Sequence, residues 1–200
     1  MSIVVEHDKR RYEILEKALD VFTDIGFENA TFQKIADRCG ITRTTLYIYF
    51  KNKREIFNFS IKQFLQDLES DITKISMEKN NSHADKLIQL LTVVIESLDE
   101  NRRILSVVLD YIRYASRGGD YDPDSRVRRR TMRLRHILAT VLINGIKGGE
   151  FKQSINVKEA NDLLYSFIDA AVYRLVILQR SSVAELKAAA KLAVQSFSAV

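Results

Sequence analysis

The chain has 200 residues, 46% of them hydrophobic, and carries 31 Lys and Arg against 26 Asp and Glu for a formal net charge of +5; a core is available at this length, and so mild a charge excess does not by itself select a partner. One Pro and seven Gly argue against an all-β design, which depends on many turn residues, and predict an all-α fold of long helices with short connections. The single Cys39 excludes a disulfide framework within one chain, and the absence of a long apolar run or a signal-like start in "MSIVVEHDKRR" predicts a cytoplasmic protein with no membrane partner.

From Lys9 to Ile25, the residues Tyr12, Leu15, Ala18, Leu19, Phe22 and Ile25 recur at three- and four-residue spacing, which predicts an amphipathic helix ended by Gly26. Thr31 is placed to cap a short second helix, "TFQKIADRC", and Gly40 can take the positive φ of a sharp turn. Thr42 then caps a third helix, "TRTTLYIYF", and "KNKREIF" opens a fourth that continues toward Met77. Two short helices joined by a glycine turn make a helix-turn-helix over residues 31–50.

Ser82 and Asp85 start a helix that carries Leu87, Leu91, Val94 and Leu98. The next, about 101–117, has Ile104, Val108, Tyr111 and Ala115 in register. "SRGGDYDPDS" is the most loop-like stretch, and Pro123 suits the first turn of a helix that "GIKGGEF" stops near Lys147. The last two helices fall at about 157–179 and 183–197, the second announced by the capping box "SVAE" at 182–185.

The penultimate helix has two apolar stripes. Ala160, Leu164, Phe167, Ala171, Leu175 and Leu178 form one, and Leu163, Ala170, Tyr173 and Ile177 form the other. A helix that is apolar on both sides needs cover on both sides, so a second copy of the chain is the expected cover for one of them. The expected homodimer interface takes Leu164, Phe167, Ala171 and Leu175 from this helix and Leu186, Ala190 and Phe197 from the last.

Residues 39–53, "CGITRTTLYIYFKNK", contain no acidic side chain but three threonines, two tyrosines and, with Arg38, four cations. A helix of eight residues is about 12 Å long, and the major groove of B-DNA is about 12 Å wide. Leu46 and Phe50 make the inner face of the third helix with Ile35, Ala36 and Ile41, which leaves Arg43, Thr44, Thr45 and Tyr47 facing outward. The planar fork of Arg43 suits the O6 and N7 edge of guanine, and the methyls of Thr44 and Thr45 suit thymine. Tyr47 and Tyr49 have hydroxyls for phosphate or base, with Tyr49 equally placed to be half core. Thr31 and Thr42 cap helices whose N-termini can aim N–H groups at phosphates, and Lys53 adds its charge at the start of the fourth helix.

The whole run Thr31 to Lys53 resembles the DNA-binding signature of the tetracycline-repressor (TetR) family: the "IA" pair of the second helix, the turn glycine, "TLY", the aromatic after it, and the lysine opening the fourth helix. The resemblance covers about residues 8–60; beyond it the chain matches only in length and helix content. It implies a DNA-binding domain at 8–68 and a ligand-binding and dimerisation domain at 69–200. It also implies base contact by Gln33, phosphate contact by Lys34, and DNA contacts at Tyr47 and Tyr49. The implied activity is repression at a palindromic operator, relieved when a small-molecule effector bound among the middle helices shifts the fourth helix. Leu91, Val94, Tyr111, Tyr114, Leu138, Leu142 and Phe167 are candidate pocket walls, and equally candidates for plain core.

"RVRRRTMRLRHI" at 126–137 has six arginines and no acid. It reads either as a solvated face paired with Asp120, Asp122 and Asp124 or as a site for an anionic ligand or acidic partner, the latter being the alternative function: a DNA-binding or adaptor protein without an effector. The cations of "DKRR" at 8–11 suit phosphate or a solvated helix start. Cys39 fits a small buried position, and His7, His83 and His136 show no metal spacing. No catalytic constellation or cofactor motif stands out, so neither an enzyme nor a cofactor is expected.

Overall fold

The computed structural model describes residues 2–78, 80–117, 125–178 and 182–199, with side chains from Glu6 to Tyr114 and from Met132 onward within those spans. Its helices are α1 (Ser2–Asn29), α2 (Phe32–Cys39), α3 (Arg43–Tyr49), α4 (Lys53–Met77), α5 (His83–Glu100), α6 (Arg102–Arg117), α7 (Ser125–Lys147), α8 (Val157–Val172) and α9 (Val183–Gln195). Among the described residues the single β-type pairing is an isolated bridge between Phe151 and Ser198. The fold is all-α, as the composition predicts. None of these helices is long and apolar enough to cross a membrane.

The chain forms two compact units, 1–64 with 103–122, and 65–102 with 123–200. Most of α6 joins the N-terminal unit.

In the first unit, α1 runs straight through the expected start at Lys9 and is broken at Gly26, whose φ of 76° and ψ of 158° are non-helical. The core joins Ile14, Leu15, Ala18, Val21 and Phe22 of α1 with Ile35 and Ala36 of α2, Leu46 and Phe50 around α3, and Ile56 and Phe57 of α4. Tyr12 and Ile25, expected on the buried stripe, are exposed instead, because Ile14 and Val21 turn that stripe one residue around the helix. Tyr12 donates from its hydroxyl to Gln63 Oε1 at 3.0 Å.

α6 completes an aromatic cluster in this unit. The Tyr111 ring lies 4.8 Å from Phe27 and 4.6 Å from Phe57, and Tyr114 lies 6.0 Å from Phe27. Such pairs contribute about 0.5–1.5 kcal/mol beyond their area burial. Tyr111 and Tyr114 therefore belong with the head, whereas Leu91, Val94, Leu138 and Leu142 are buried in the second unit. The seven candidate pocket walls are thus distributed over both units.

The second unit contains α5, α7, α8 and α9. Ser82 caps α5 by accepting from Asp85 N at 3.0 Å, as the S-x-x-D pattern predicts. The same helix start has a distant second cap: Glu150 Oε2 accepts from His83 N at 2.8 Å and Oε1 from Ala84 N at 2.7 Å, with His83 Nδ1 also 2.8 Å from Oε2. Gly145 lies against the buried Phe151 ring, where a Cβ would come within 2.3 Å. Asn156 caps α8. The "SVAE" box does not form a side-chain cap; Ser182 meets Glu185 N through its carbonyl.

The expected helix at 157–179 is α8 followed by a π-helical turn at Tyr173–Ile177. Its two stripes resolve opposite to the expectation. Leu164, Ala171 and Leu175, with Leu186, Ala190 and Phe197 of the α9 region, are buried within the unit, and Phe167 is half-buried. Leu163, Tyr173 and Ile177 are instead 45%, 52% and 55% exposed. Leu178, which continues the first stripe, is 45% exposed as well, and Ala170 of the second is half-buried.

Of the arginine-rich run, Arg126, Arg128, Arg129 and Arg130 lie outside the described side chains, as do Asp120, Asp122 and Asp124. Arg133 pairs with Glu69, and Arg135 pairs with Asp162 at 2.5 Å while lying over the Tyr165 ring at 4.0 Å. Both ion pairs lie within the second unit.

Burial pushes the Glu150 carboxyl pKa up, but the Ala84 and His83 amides and the His83 ring outweigh it and hold the pKa below the ordinary value. A depressed folded pKa contributes stability that is present above the unfolded value, about 4.3, and lost as pH falls through the folded one. Glu150→Gln should therefore lower the thermal midpoint at neutral pH and lessen its fall below about pH 4; equal acid slopes in the two proteins would contradict the cap.

Candidate nucleic-acid interface

Local chemistry builds α2 and α3 in the sequence-predicted way. Thr31 Oγ1 accepts from Lys34 N at 3.2 Å, and Thr42 Oγ1 accepts from Thr45 N at 3.1 Å. Each cap contributes about 1 kcal/mol. Between them Gly40 takes φ 67° and ψ 30°, and Ile41 N returns to Ala36 O at 3.1 Å. The left-handed residue closes α2 and lets α3 start at once.

α3 turns Leu46 wholly inward, with Phe50 buried behind it. Arg43, Thr44 and Tyr47 face out, and Thr45 is half-buried with its Oγ1 2.8 Å from Thr42 Oγ1. Arg43 Nη2 donates to Tyr47 Oη at 3.1 Å, and its guanidinium lies 5.6 Å from the Tyr47 ring centre. That ring is 4.7 Å from Phe32. Tyr47 therefore holds Arg43 as well as facing outward itself, and the remaining donors of the fork stay available.

Tyr49 is half-buried on the core, 4.9 Å from the His7 ring. Gln33 and Lys34 are exposed on α2, where Gln33 Nε2 donates to Asp37 Oδ1 at 2.7 Å and Lys34 Nζ to Asn29 O at 3.3 Å. Ile48, not among the sequence-predicted contacts, is 67% exposed on α3. It carries neither hydroxyl nor charge to mark it, although the helical period alone places it opposite Leu46.

Lys53 behaves differently from the phosphate contact expected of it. Its Nζ donates to Phe27 O at 2.7 Å, Glu28 O at 3.0 Å and Ala30 O at 2.8 Å, and lies 4.7 Å from the Phe27 ring centre. An ammonium has three donors, and these carbonyls take all three. Burial pushes its pKa down, partly countered by the charge of Glu28. On the other side of the same turn, Phe27 N donates to Asp110 Oδ2 at 2.8 Å.

Arg11, from the "DKRR" run, is also structural: its guanidinium lies 4.8 Å from the Phe50 ring centre and 4.5 Å from that of Phe59. Arg10 pairs with Glu13 at 2.5 Å. The Cys39 thiol is half-buried, and burial pushes its pKa up, outweighing Arg10 and Lys17. A raised thiol pKa leaves little thiolate for redox chemistry. Among the described residues, no three His, Cys, Asp or Glu side chains gather to hold a metal.

The surface so formed offers a fork, methyls and hydroxyls on a short helix, groups of the kinds that can meet base edges in a major groove. Residues 14–58 match the family described as bacterial regulatory proteins, tetR family. The fatty acid metabolism regulator protein of Bacillus subtilis (strain 168) is 27% identical over 164 residues, 80% of either chain. The HTH-type transcriptional repressor KstR2 of Mycolicibacterium smegmatis is 29% identical over 159 residues, 80% of this chain and 74% of that one. In fold, the ketosteroid transcriptional regulator KstR2 of Mycobacterium tuberculosis superposes with a TM-score of 0.72 at 21% identity, over 94% of this chain and 95% of that one.

Lys53→Met should destabilise the protein by about 1–3 kcal/mol, since it deprives three carbonyls of a charged donor. A phosphate-contact lysine would instead lower the slope of log affinity against log salt by roughly one unit with stability unchanged. Denaturant unfolding and a salt titration of DNA binding on the same variant separate the two roles.

Proposed function

The chain belongs to the tetR family of bacterial regulatory proteins, and on that premise we propose that it is a homodimeric repressor, holding a palindromic operator through α3 of each subunit until a small molecule releases it. The observation that carries the reading is α3 itself, with Leu46 buried and Arg43, Thr44 and Tyr47 presented on a helix short enough to enter a major groove. Arg43 reads a guanine, held for that purpose by Tyr47. Thr31, Gln33, Lys34, Thr42, Thr45 and Tyr49 set the register through phosphate or neighbouring-base contacts. The Mycolicibacterium smegmatis relative is named a repressor, which supports repression over activation. The same reading makes the protein a cytoplasmic regulator that acts by binding, without catalytic turnover.

The exposed stripe of Leu163, Tyr173 and Ile177, with Leu192 of α9 also exposed, is the surface that takes the second copy. Large apolar side chains exposed to water on adjacent elements gain most from such cover. The effector binds in the second unit, where Leu91, Val94, Leu138 and Leu142 form an apolar core and Phe167 stands half-buried. The Bacillus subtilis relative is named for fatty acid metabolism, which favours an effector with an apolar body. α4 runs unbroken from Lys53 in the first unit to Met77 in the second. A ligand that binds one position of α4 better than another shifts the separation of the two reading helices, so that both no longer engage.

Selection of bound sequences from random DNA should return one palindrome. Arg43→Ala should relax one position of each half-site by about 1–3 kcal/mol, and Tyr47→Phe should relax the same position by less. Return of no preferred sequence would refute the reading. Tyr173→Glu should weaken the dimer by roughly a hundredfold or more, since it buries an unpaired charge, as read by sedimentation across a concentration series.

A further inference from the structure

α3 carries one large apolar side chain that serves no core. At 3.6 residues per turn, Thr44 and Ile48 each lie about 160° from the buried Leu46, so these two, not Arg43, occupy the outermost line of the helix. Their exposure agrees: Thr44 is exposed, and Ile48 is 67% exposed against 0% for Leu46. Arg43 and Tyr47 flank that line on one side, with half-buried Thr45 and Tyr49 on the other. A lone exposed isoleucine is ordinary on a protein surface. On the outermost line of a helix that enters a groove, it must meet something.

We infer that Ile48 is a specificity-determining residue, reading the 5-methyl group of a thymine in each half-site. The inference rests on the reading of α3 as the major-groove helix. In that groove thymine is the one base with a projecting methyl, and apolar contact is how a side chain without donors or acceptors distinguishes it. Isoleucine makes no hydrogen bond to phosphate, sugar or base edge, so a position facing an amino or carbonyl edge would leave that group desolvated and unpaired, at a loss of affinity. The Thr44 methyl, on the same line one helical turn away, extends the apolar strip. Arg43 and Ile48 thus divide the work: a fork for a guanine and a hydrocarbon for a thymine.

The test uses the duplex selected from random DNA by the wild-type protein, with each thymine replaced in turn by deoxyuridine, which lacks only the methyl. Wild-type protein should bind roughly fourfold more weakly when the critical thymine is replaced in one half-site, and roughly tenfold or more when it is replaced in both. Ile48→Ala should bind the thymine and uracil duplexes equally, and Ile48→Val should keep most of the difference. Because the side chain is exposed, both variants should unfold at the wild-type temperature, which a melt verifies. Tolerance of uracil at every position by the wild type, or an undiminished thymine preference in Ile48→Ala, would overturn this inference while leaving the repressor reading intact. Failure to select any sequence would remove both together.

Discussion

One ammonium group holds the reading head together. Between Gly26 and Thr31 the chain must leave one helix and start another, and the carbonyls of Phe27, Glu28 and Ala30 converge on Lys53 Nζ. Lysine suits this place because its donors radiate from one point on a flexible stem, whereas arginine's planar fork does not converge on three acceptors. Phe27 anchors the turn from inside, meeting Phe22, Phe57 and Tyr111 in the core. Asp110 takes the Phe27 N–H on the other side. Thr31 and α2 start from this turn, and Gly40 sends the chain from α2 into α3, so the aim of the reading helix depends on it.

The participation of Asp110 and Tyr111 enlarges the head beyond the region that carries its motif. Residues 14–58 match the family, yet the unit also takes in Asp110 and Tyr111 of α6. A head completed by a later segment of the chain is sensitive to what happens to that segment. α4 and α6 each cross a boundary between the two units along the chain.

The two units use their surfaces in opposite ways. On α3 the outward groups are chosen for hydrogen bonding and for one hydrocarbon contact. On α8 and its π-helical turn, Leu163, Tyr173, Ile177 and Leu178 are exposed among polar side chains such as Asp162, Ser166, Asp169 and Arg174. Leu164, Ala171 and Leu175 are buried within the unit.

Most of what could be read along the chain acts within about one helical turn, although the local box at 182–185 forms no side-chain cap. The caps at Thr31, Thr42 and Ser82, the glycine turn at Gly40, the inward Leu46 and Phe50 and the run to Met77 all arise from interactions between residues three or four apart, and all appear as expected. The family signature at 31–53 is a set of such local spacings, which is why it was legible without a fold. Other features needed the folded chain because their partners are remote. Lys53 reaches carbonyls 23 to 26 residues earlier, Glu150 caps a helix start 66 and 67 residues away, and Asp110 holds an amide 83 residues back. Periodicity shows that α8 has two apolar stripes but not which faces home, because the answer lies in the neighbours that packing supplies. Lys53 makes the same point in charge: its position announced a cation near DNA, and the three carbonyls brought within 3.0 Å turned it into the clasp of the head.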